Sequence, residues 1–462
     1  MKCGTLHPSS WFRAWLTLPC FGVVFSCALG IAAAETGSDS PAPVRKTLLA
    51  HYMPWFVSQP IRGEWGKHWT GNRGQFDPAK LGKDGLPELA AHYHPLLGPY
   101  DSSDPYLIEC HLLQMKLAGI DGLIVDWYGL AQLDDYPQSH QATLALFAGS
   151  AKLGLKFAVC FEDRTVERLI ASGKLDRDHI AKHLSETFAW LDQNWFSALH
   201  YVRVADQPLL LNFGPIFVTN PKDWQTAFAP LTNRPRFYAL NHLSKAVKAD
   251  GGFTWVYPEV WKEDPSAELV QERLRTEYDS VSTAPSETIV SAFAGFNDRY
   301  EKGYPDIAHR NGETLRETLT ACMAGPWPIV QLVTWNDFGE GTMIEPCHEL
   351  GYSLLETVQD FRRNEAENQF LSTAADLRLP EKLYLLRKSD TTRVKSLDEV
   401  AELLASGKAD AARLLLERIS DNSSAEDGHR SSVRPICSGS LSTGLAINTM
   451  LASNTIGEGK RY

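Results

Sequence analysis

Eight short apolar runs, alternating with amphipathic stretches, restrict what this chain can fold into more than any other feature. The runs are Thr47 to Tyr52, Gly122 to Trp127, Lys156 to Phe161, Pro208 to Phe213, Arg236 to Leu240, Gly252 to Tyr257, Thr288 to Phe293 and Ile329 to Trp335. Each has strand length and ends in turn-forming or polar residues. The stretches between them carry helix signals. Asp104 suits an N-cap, Pro105 the first helical position and Gly119 the residue beyond the end, with Ile108, Leu112 and Met115 sharing one face. A second helix is predicted over Glu313 to Ala324, where Leu315, Leu319, Cys322 and Met323 recur at helical spacing before Gly325-Pro326. Strand-helix alternation implies parallel strands. Eight such units over about 250 to 320 residues predict an α/β chain folded as a (β/α)8 TIM barrel. The connection Leu243 to Asp250 is short for a full helix, which leaves an open sheet as the alternative. No glycine-rich phosphate loop follows the first strand to favour it.

The 462 residues allow one barrel with flanking segments. Lys2 and Arg13 precede an apolar stretch, Ala14 to Ala33, that ends in small residues; residues 1–34 therefore read as a signal peptide cleaved near Ala34. A retained anchor is the alternative, against which Pro19 and the small-residue end both count. The expected protein is secreted or periplasmic, with no membrane attachment after cleavage. Residues 35–44 read as a linker, 45–365 as the barrel and 366–419 as a helical extension packed on it through Leu397, Val400, Leu403 and Leu404. Residues 420–462, rich in Ser, Gly and Asn without periodicity, read as a disordered tail. A net charge of -11 gives no attraction to phosphate backbones, so nucleic acid is not an expected partner. Beyond the leader, Cys110, Cys160, Cys322, Cys347 and Cys437 are widely and irregularly spaced with no CxxC pair. That pattern predicts buried thiols, with room for one disulfide, and no metal site or cofactor. The sequence leaves oligomeric state open.

In a parallel barrel the chemistry sits at the C-terminal ends of the strands. Polar and aromatic residues at predicted strand ends include His51, Tyr52, Asp126, Trp127, Glu162, Asp163, Asn212, Asn241, His242, Tyr257, Glu259 and Asn297. The last strand runs into Trp335-Asn336-Asp337-Phe338-Gly339-Glu340, where two carboxylates stand three residues apart beside Gly339 and Gly341, which let the backbone bend. Glycosidic cleavage needs such a pair: an acid to protonate the leaving oxygen, and a second carboxylate acting as base or nucleophile. Equally, acidic residues after a strand can cap a following helix or bind backbone amides. Trp55, Trp65, Trp69, Trp127, Trp261 and Trp335 offer flat faces suited to sugar rings, although each can also be a core residue.

The stretch Val333-Thr334-Trp335-Asn336-Asp337-Phe338-Gly339-Glu340-Gly341-Thr342-Met343-Ile344-Glu345-Pro346 resembles the signature of glycoside hydrolase families 71 and 99. Its first half is similar to family 71, the fungal α-1,3-glucanases; its second half is similar to family 99, the endo-α-mannosidases and endo-α-mannanases. His51-Tyr52-Met53-Pro54-Trp55, Gly98-Pro99-Tyr100-Asp101-Ser102, Ala118-Gly119-Ile120-Asp121-Gly122 and Trp127-Tyr128-Gly129 resemble family 99 in order and rough spacing. The resemblance covers Thr47 to Phe361. It implies a barrel hydrolase that takes an α-linked oligo- or polysaccharide, with Glu340 as general acid and Asp337 as its partner. Family 99 has Glu at the partner position, where it takes a proton from the sugar 2-hydroxyl and the reaction retains configuration. Asp337 is one methylene shorter and closer to family 71, where the partner activates water for inversion, so both outcomes stay open. The same resemblance implies substrate contacts from Glu162 and Tyr257. His51, Tyr52, Trp55, Asp126, Trp127, Asn212, His242, Trp335 and Asn336 complete the expected binding set, and Asp126 stands where family 99 commonly has a small residue. Two other readings remain: a barrel that binds glycans without cleaving them, and a metal-dependent hydrolase using His92, His94, His242 and Asp337.

Overall fold

The computed structural model describes residues 45–256, 285–300, 304–365, 370–389 and 392–430. The expected leader and linker, the tail beyond Arg430, Tyr257, Glu259 and Trp261 lie outside the described residues. Eight strands appear: β1 Thr47–Tyr52, β2 Gly122–Trp127, β3 Lys156–Phe161, β4 Gln207–Asn212, β5 Arg236–Leu240, β6 Gly251–Phe253, β7 Thr288–Phe293 and β8 Ile329–Val333. Each pairs in parallel with its sequence neighbours. β1 also pairs with β8, Thr47 opposite Ile329, which closes the sheet into a barrel. The open-sheet alternative is thereby excluded. The short connection after β5 is a single turn, Asn241–Ser244, and β6 still lies directly beside β5. Arg203–Val204 adds a two-residue antiparallel spur to β4.

Helices line the outside, two of them where capping and apolar spacing predict them. α1, Pro105–Leu117, starts with Asp104 accepting the Tyr106 amide at 2.9 Å and stops before Gly119, whose φ of +77° suits glycine. α2 Tyr136–Leu153, α3 Arg164–Ala171, α4 Ile180–Asn194, α5 Pro221–Phe228, α6 Glu313–Ala324 and α7 Ser353–Glu365 continue the ring. Arg362 of α7 is buried and holds the two ends of the barrel sequence together. Its Nε donates to the Gly119 carbonyl at 2.7 Å, its Nη1 to the Lys46 carbonyl at 3.0 Å, and its Nη2 to Asp121.

Beyond the ring, α8 Leu379–Ser389, α9 Val394–Ala405 and α10 Ala409–Arg430 form the C-terminal extension. It docks on α1 through Arg387, which grips Glu109 with two bonds of 2.6 and 3.0 Å, and through Lys388 on Asp104 at 2.9 Å. Leu397, Val400 and Leu404 are buried as their spacing predicts, and Leu403 is half-buried. One boundary differs: α10 runs past Ser420 to Arg430, because each added residue of an established helix closes another backbone hydrogen bond without a new nucleation cost. Cys110, Cys160, Cys322 and Cys347 are buried free thiols; Cys437 lies outside the described residues. Among the described residues, no helix is long and apolar enough to cross a membrane.

Candidate active site

Strand β8 ends at Val333 and runs into a tight loop held by its own side chains. Thr334 Oγ1 accepts the Asp337 amide at 2.8 Å and meets Thr342 Oγ1 at 2.9 Å, while the Thr334 amide donates to the Thr342 carbonyl at 3.0 Å. Asn336 sews this loop to the one after β1. Its Oδ1 accepts the Met53 amide at 2.8 Å, and its Nδ2 donates to the Met53 carbonyl at 3.0 Å and to the Tyr100 hydroxyl at 3.2 Å. Trp335 is buried against His111, and Phe338 packs with Phe56 and Trp69. With Trp335, Asn336 and Phe338 anchored inward, Asp337 and Glu340 are the residues left to face the open side.

Both carboxyls line one cavity of about 1130 Å³ at the mouth of the barrel, together with Trp55, Trp65, Tyr128, Glu162, Trp255 and Tyr300. The helix-cap alternative is met in part, since Asp337 Oδ1 accepts the Glu340 amide at 3.1 Å. That bond orients the carboxylate and does not withdraw it from the cavity. Burial raises the Asp337 carboxyl to about 7, with Asp298 pushing the same way and the Glu340 and Gly339 amides pulling it down. Glu340 is held well above the usual carboxylate range by burial and by the charges of Asp337, Asp298 and Glu162. Burial thus raises both carboxyls of the pair, and two such groups three residues apart on one loop can act as acid and base side by side.

Of the other expected residues, Trp55, Glu162 and His242 line the cavity. Trp55 does not present an open face, however: His68 stacks on it at 4.3 Å. Glu162 is pushed up by burial and by Asp126 and Asp163. Its neighbour Asp163 accepts the Ile216, Phe217 and Val218 amides at 2.7 to 2.9 Å, fixing the loop after β4 along the cavity wall.

Seven expected contacts lie off the cavity lining: His51, Tyr52, Asp126, Trp127, Asn212, Trp335 and Asn336 are all buried. Alternation along a strand explains two of them. His51 and Asp126 face the barrel axis, so Tyr52 and Trp127 must face the helices. The Tyr52 hydroxyl meets His111 Nδ1 of α1 at 3.0 Å, and Trp127 Nε1 donates to His140 Nδ1 of α2 at 3.1 Å among Trp190 and Trp195. Trp335 and Asn336 belong to the scaffold of the loop after β8. His51 and Asp126 lie inside the barrel, whereas Asn212, in register with Phe161 and Trp127, lies on the helix-facing side of the sheet. The His92/His94 metal grouping does not assemble: His94 Nδ1 is engaged by Glu349 Oε1 at 2.6 Å and its Nε2 by the Pro87 carbonyl at 3.0 Å.

Trp255 and Tyr300 are among the cavity residues that escape the sequence reasoning. Trp255 sits inside the predicted strand Gly252 to Tyr257 and reads there as core; only its place past the end of β6 turns it to the cavity. Tyr300 follows β7 in the polar cluster Asn297-Asp298-Arg299, and that cluster is its one available signal. Its hydroxyl lies 3.2 Å from His68 Nδ1, whose Nε2 lies 3.4 Å from Asp135 Oδ2. The Tyr300 ring rests on Gly339, where a Cβ would come within 1.9 Å of Cζ. Burial, then Asp337 and Glu340, hold its phenol well above the usual range, so it stays a hydroxyl.

Comparison with known proteins bears on the first part of the chain and on the fold. A model of glycosyl hydrolase family 99 matches residues 43–237. That part of the chain resembles family 99. Over 101 residues it is 31% identical to a glycoprotein endo-alpha-1,2-mannosidase of Xenopus laevis, covering 20% of this chain and 22% of that one. Over 108 residues it is 33% identical to a glycoprotein endo-alpha-1,2-mannosidase-like protein of Homo sapiens, covering 21% and 23%. The matched part of this chain spans less than a quarter of the length of these curated relatives. The solved GH99 endo-alpha-mannosidase from Bacteroides thetaiotaomicron superposes with a TM-score of 0.51 at 17% identity, over 70% of this chain and 99% of that one. A glycoside hydrolase-like protein does so at 0.50 and 12% identity, over 71% and 97%. At these identities the superpositions speak for the fold alone.

Proposed function

We propose that this chain is an exported glycoside hydrolase that cleaves α-linked glycans, with Glu340 as general acid and Asp337 as base. The observation that carries the reading is the pair itself: two carboxyls on one loop, both raised by burial and both open to an aromatic-lined cavity. Glu340 gives its proton to the glycosidic oxygen as the bond to the anomeric carbon breaks. Asp337 takes a proton from the incoming nucleophile, either water or a neighbouring sugar hydroxyl. Tyr300 positions the turn that carries both. The curated relatives are named for α-1,2-mannoside cleavage, which supports α-mannosides as the first substrates to try. Export rests on the apolar leader alone.

The test is a panel of α-mannan, α-1,3-glucan and other α-linked polysaccharides, followed by proton NMR of the anomeric signals. The expected result is cleavage of one linkage class, with the first anomer to appear reporting retention or inversion. Binding isotherms with no product over days would leave a glycan-binding barrel in place of an enzyme. A second expectation concerns the turn. Gly339→Ala drives a methyl into Tyr300 and should lower kcat/KM by roughly ten- to a hundredfold, as ångström-scale misplacement does. Thermal melts should show the fold intact; unchanged kinetics would remove Tyr300 from a positioning role.

A further inference from the structure

Three consecutive strands carry one metal-binding side chain each into the barrel interior. His51 of β1, Asp126 of β2 and Cys160 of β3 bring a ring nitrogen, a carboxylate oxygen and a sulfur within 4.8 Å of one another, all buried. Polar atoms around them lack partners. Among the described residues, His51 Nε2 and Asp126 Oδ2 have no hydrogen bond. Buried polar groups are rarely left this way without a ligand or a proton to share.

The neighbouring bonds decide which atom of the imidazole is free. Gln331 Nε2 donates to the Thr254 carbonyl and to Ser291 Oγ, both at 2.9 Å, so its Oε1 is the atom turned to His51 Nδ1 at 3.4 Å. Nδ1 is therefore the protonated nitrogen, and Nε2 carries a bare lone pair. An imidazole whose far nitrogen is held by an oxygen acceptor is oriented as metal-ligating histidines are. Its lone pair lies among a thiol and a carboxyl in a region that also holds Asp337 and Glu340, an arrangement that favours a cation.

We propose that His51 Nε2, Asp126 and Cys160 form a zinc site inside the barrel, with a water molecule as the fourth ligand. The donor set decides the metal. Imidazole with thiolate suits zinc, whereas calcium and magnesium take shells of oxygen atoms. Zinc bonds of about 2.0 to 2.3 Å need donors within roughly 3.8 Å of one another, so loading draws the three side chains together. The Cys160 Sγ–H bond breaks, its proton leaves to solvent, and Sγ bonds to the metal with no change of oxidation state. This site does not depend on the glycosidase reading.

The test uses the full chain, stripped with a chelator and dialysed against zinc, with metal content measured by elemental analysis and stability by thermal melting. One tightly held zinc per chain and a raised Tm are expected. Cys160→Ser and Asp126→Asn, both close in size to the native residues, should lose that zinc, while Cys347→Ser keeps it. Cobalt loaded in its place should show a thiolate-to-cobalt charge-transfer band that Cys160→Ser lacks. If instead the Asp126 carboxyl keeps a proton and donates it to Nε2, the chain holds no stoichiometric zinc and the proposal falls. Zinc retained in full by folded Cys160→Ser, or a cobalt spectrum of the native chain without the thiolate band, overturns it as well.

Discussion

Glu340→Gln should cut turnover on the cleaved α-linked glycan by at least about a hundredfold and leave substrate binding within a few-fold of the native value. The carboxamide keeps the shape and the loop hydrogen bonds but has no proton to give. Loss in kcat at constant Kd is thus the signature of a missing acid, as opposed to a damaged pocket. A substrate with an activated aryl leaving group needs little protonation, so on it the defect should shrink. Steady-state kinetics on both substrates make the comparison; equal turnover by native and variant chains would remove Glu340 from the role.

Asp337→Asn should lower turnover by a similar factor and, in the opposite direction, stabilise the fold at neutral pH. Its folded carboxyl sits at about 7, against roughly 3.9 in an unfolded chain. A carboxyl raised on folding contributes most below the unfolded value, and that contribution is lost as pH rises through the folded one. Native Tm should therefore decline between about pH 4 and 7 relative to the Asn variant and run parallel above it. Activity has the reverse dependence on this group, rising through about pH 7 as Asp337 becomes ionised and falling again once Glu340 loses its proton. Parallel Tm curves throughout, or a pH profile whose rising limb survives in Asp337→Asn, would refute the base assignment.

Legibility in the sequence divides along a physical line. The barrel is legible, because its strands and helices are written in local periodicity and capping that tertiary packing did not need to override: Asp104, Pro105 and Gly119 mark α1, and Glu313 to Ala324 is α6 to the residue. The acidic pair is legible too, since position after the last strand and a flexible glycine pair are local features. Side-chain direction is not. At a strand end, His51 with Tyr52 and Asp126 with Trp127 look alike, yet one of each pair enters the barrel and the other packs under a helix, which depends on register with neighbouring strands. Tyr300 and Trp255 reach the cavity through loops whose course is a matter of long-range packing, and no local spacing encodes that.

The arginine clamp of α7 carries a consequence for how this molecule comes into being. Lys46 and Arg362, joined in the finished fold, are separated by most of the barrel sequence, and β1 finds its second partner only when β8 is available. A nascent chain halted before that point exposes two unpaired strand edges, open to pairing with other chains. Ring closure is thus a contact of high contact order that requires β8 to be present, and until it forms the growing chain offers the open edges that chaperones shield.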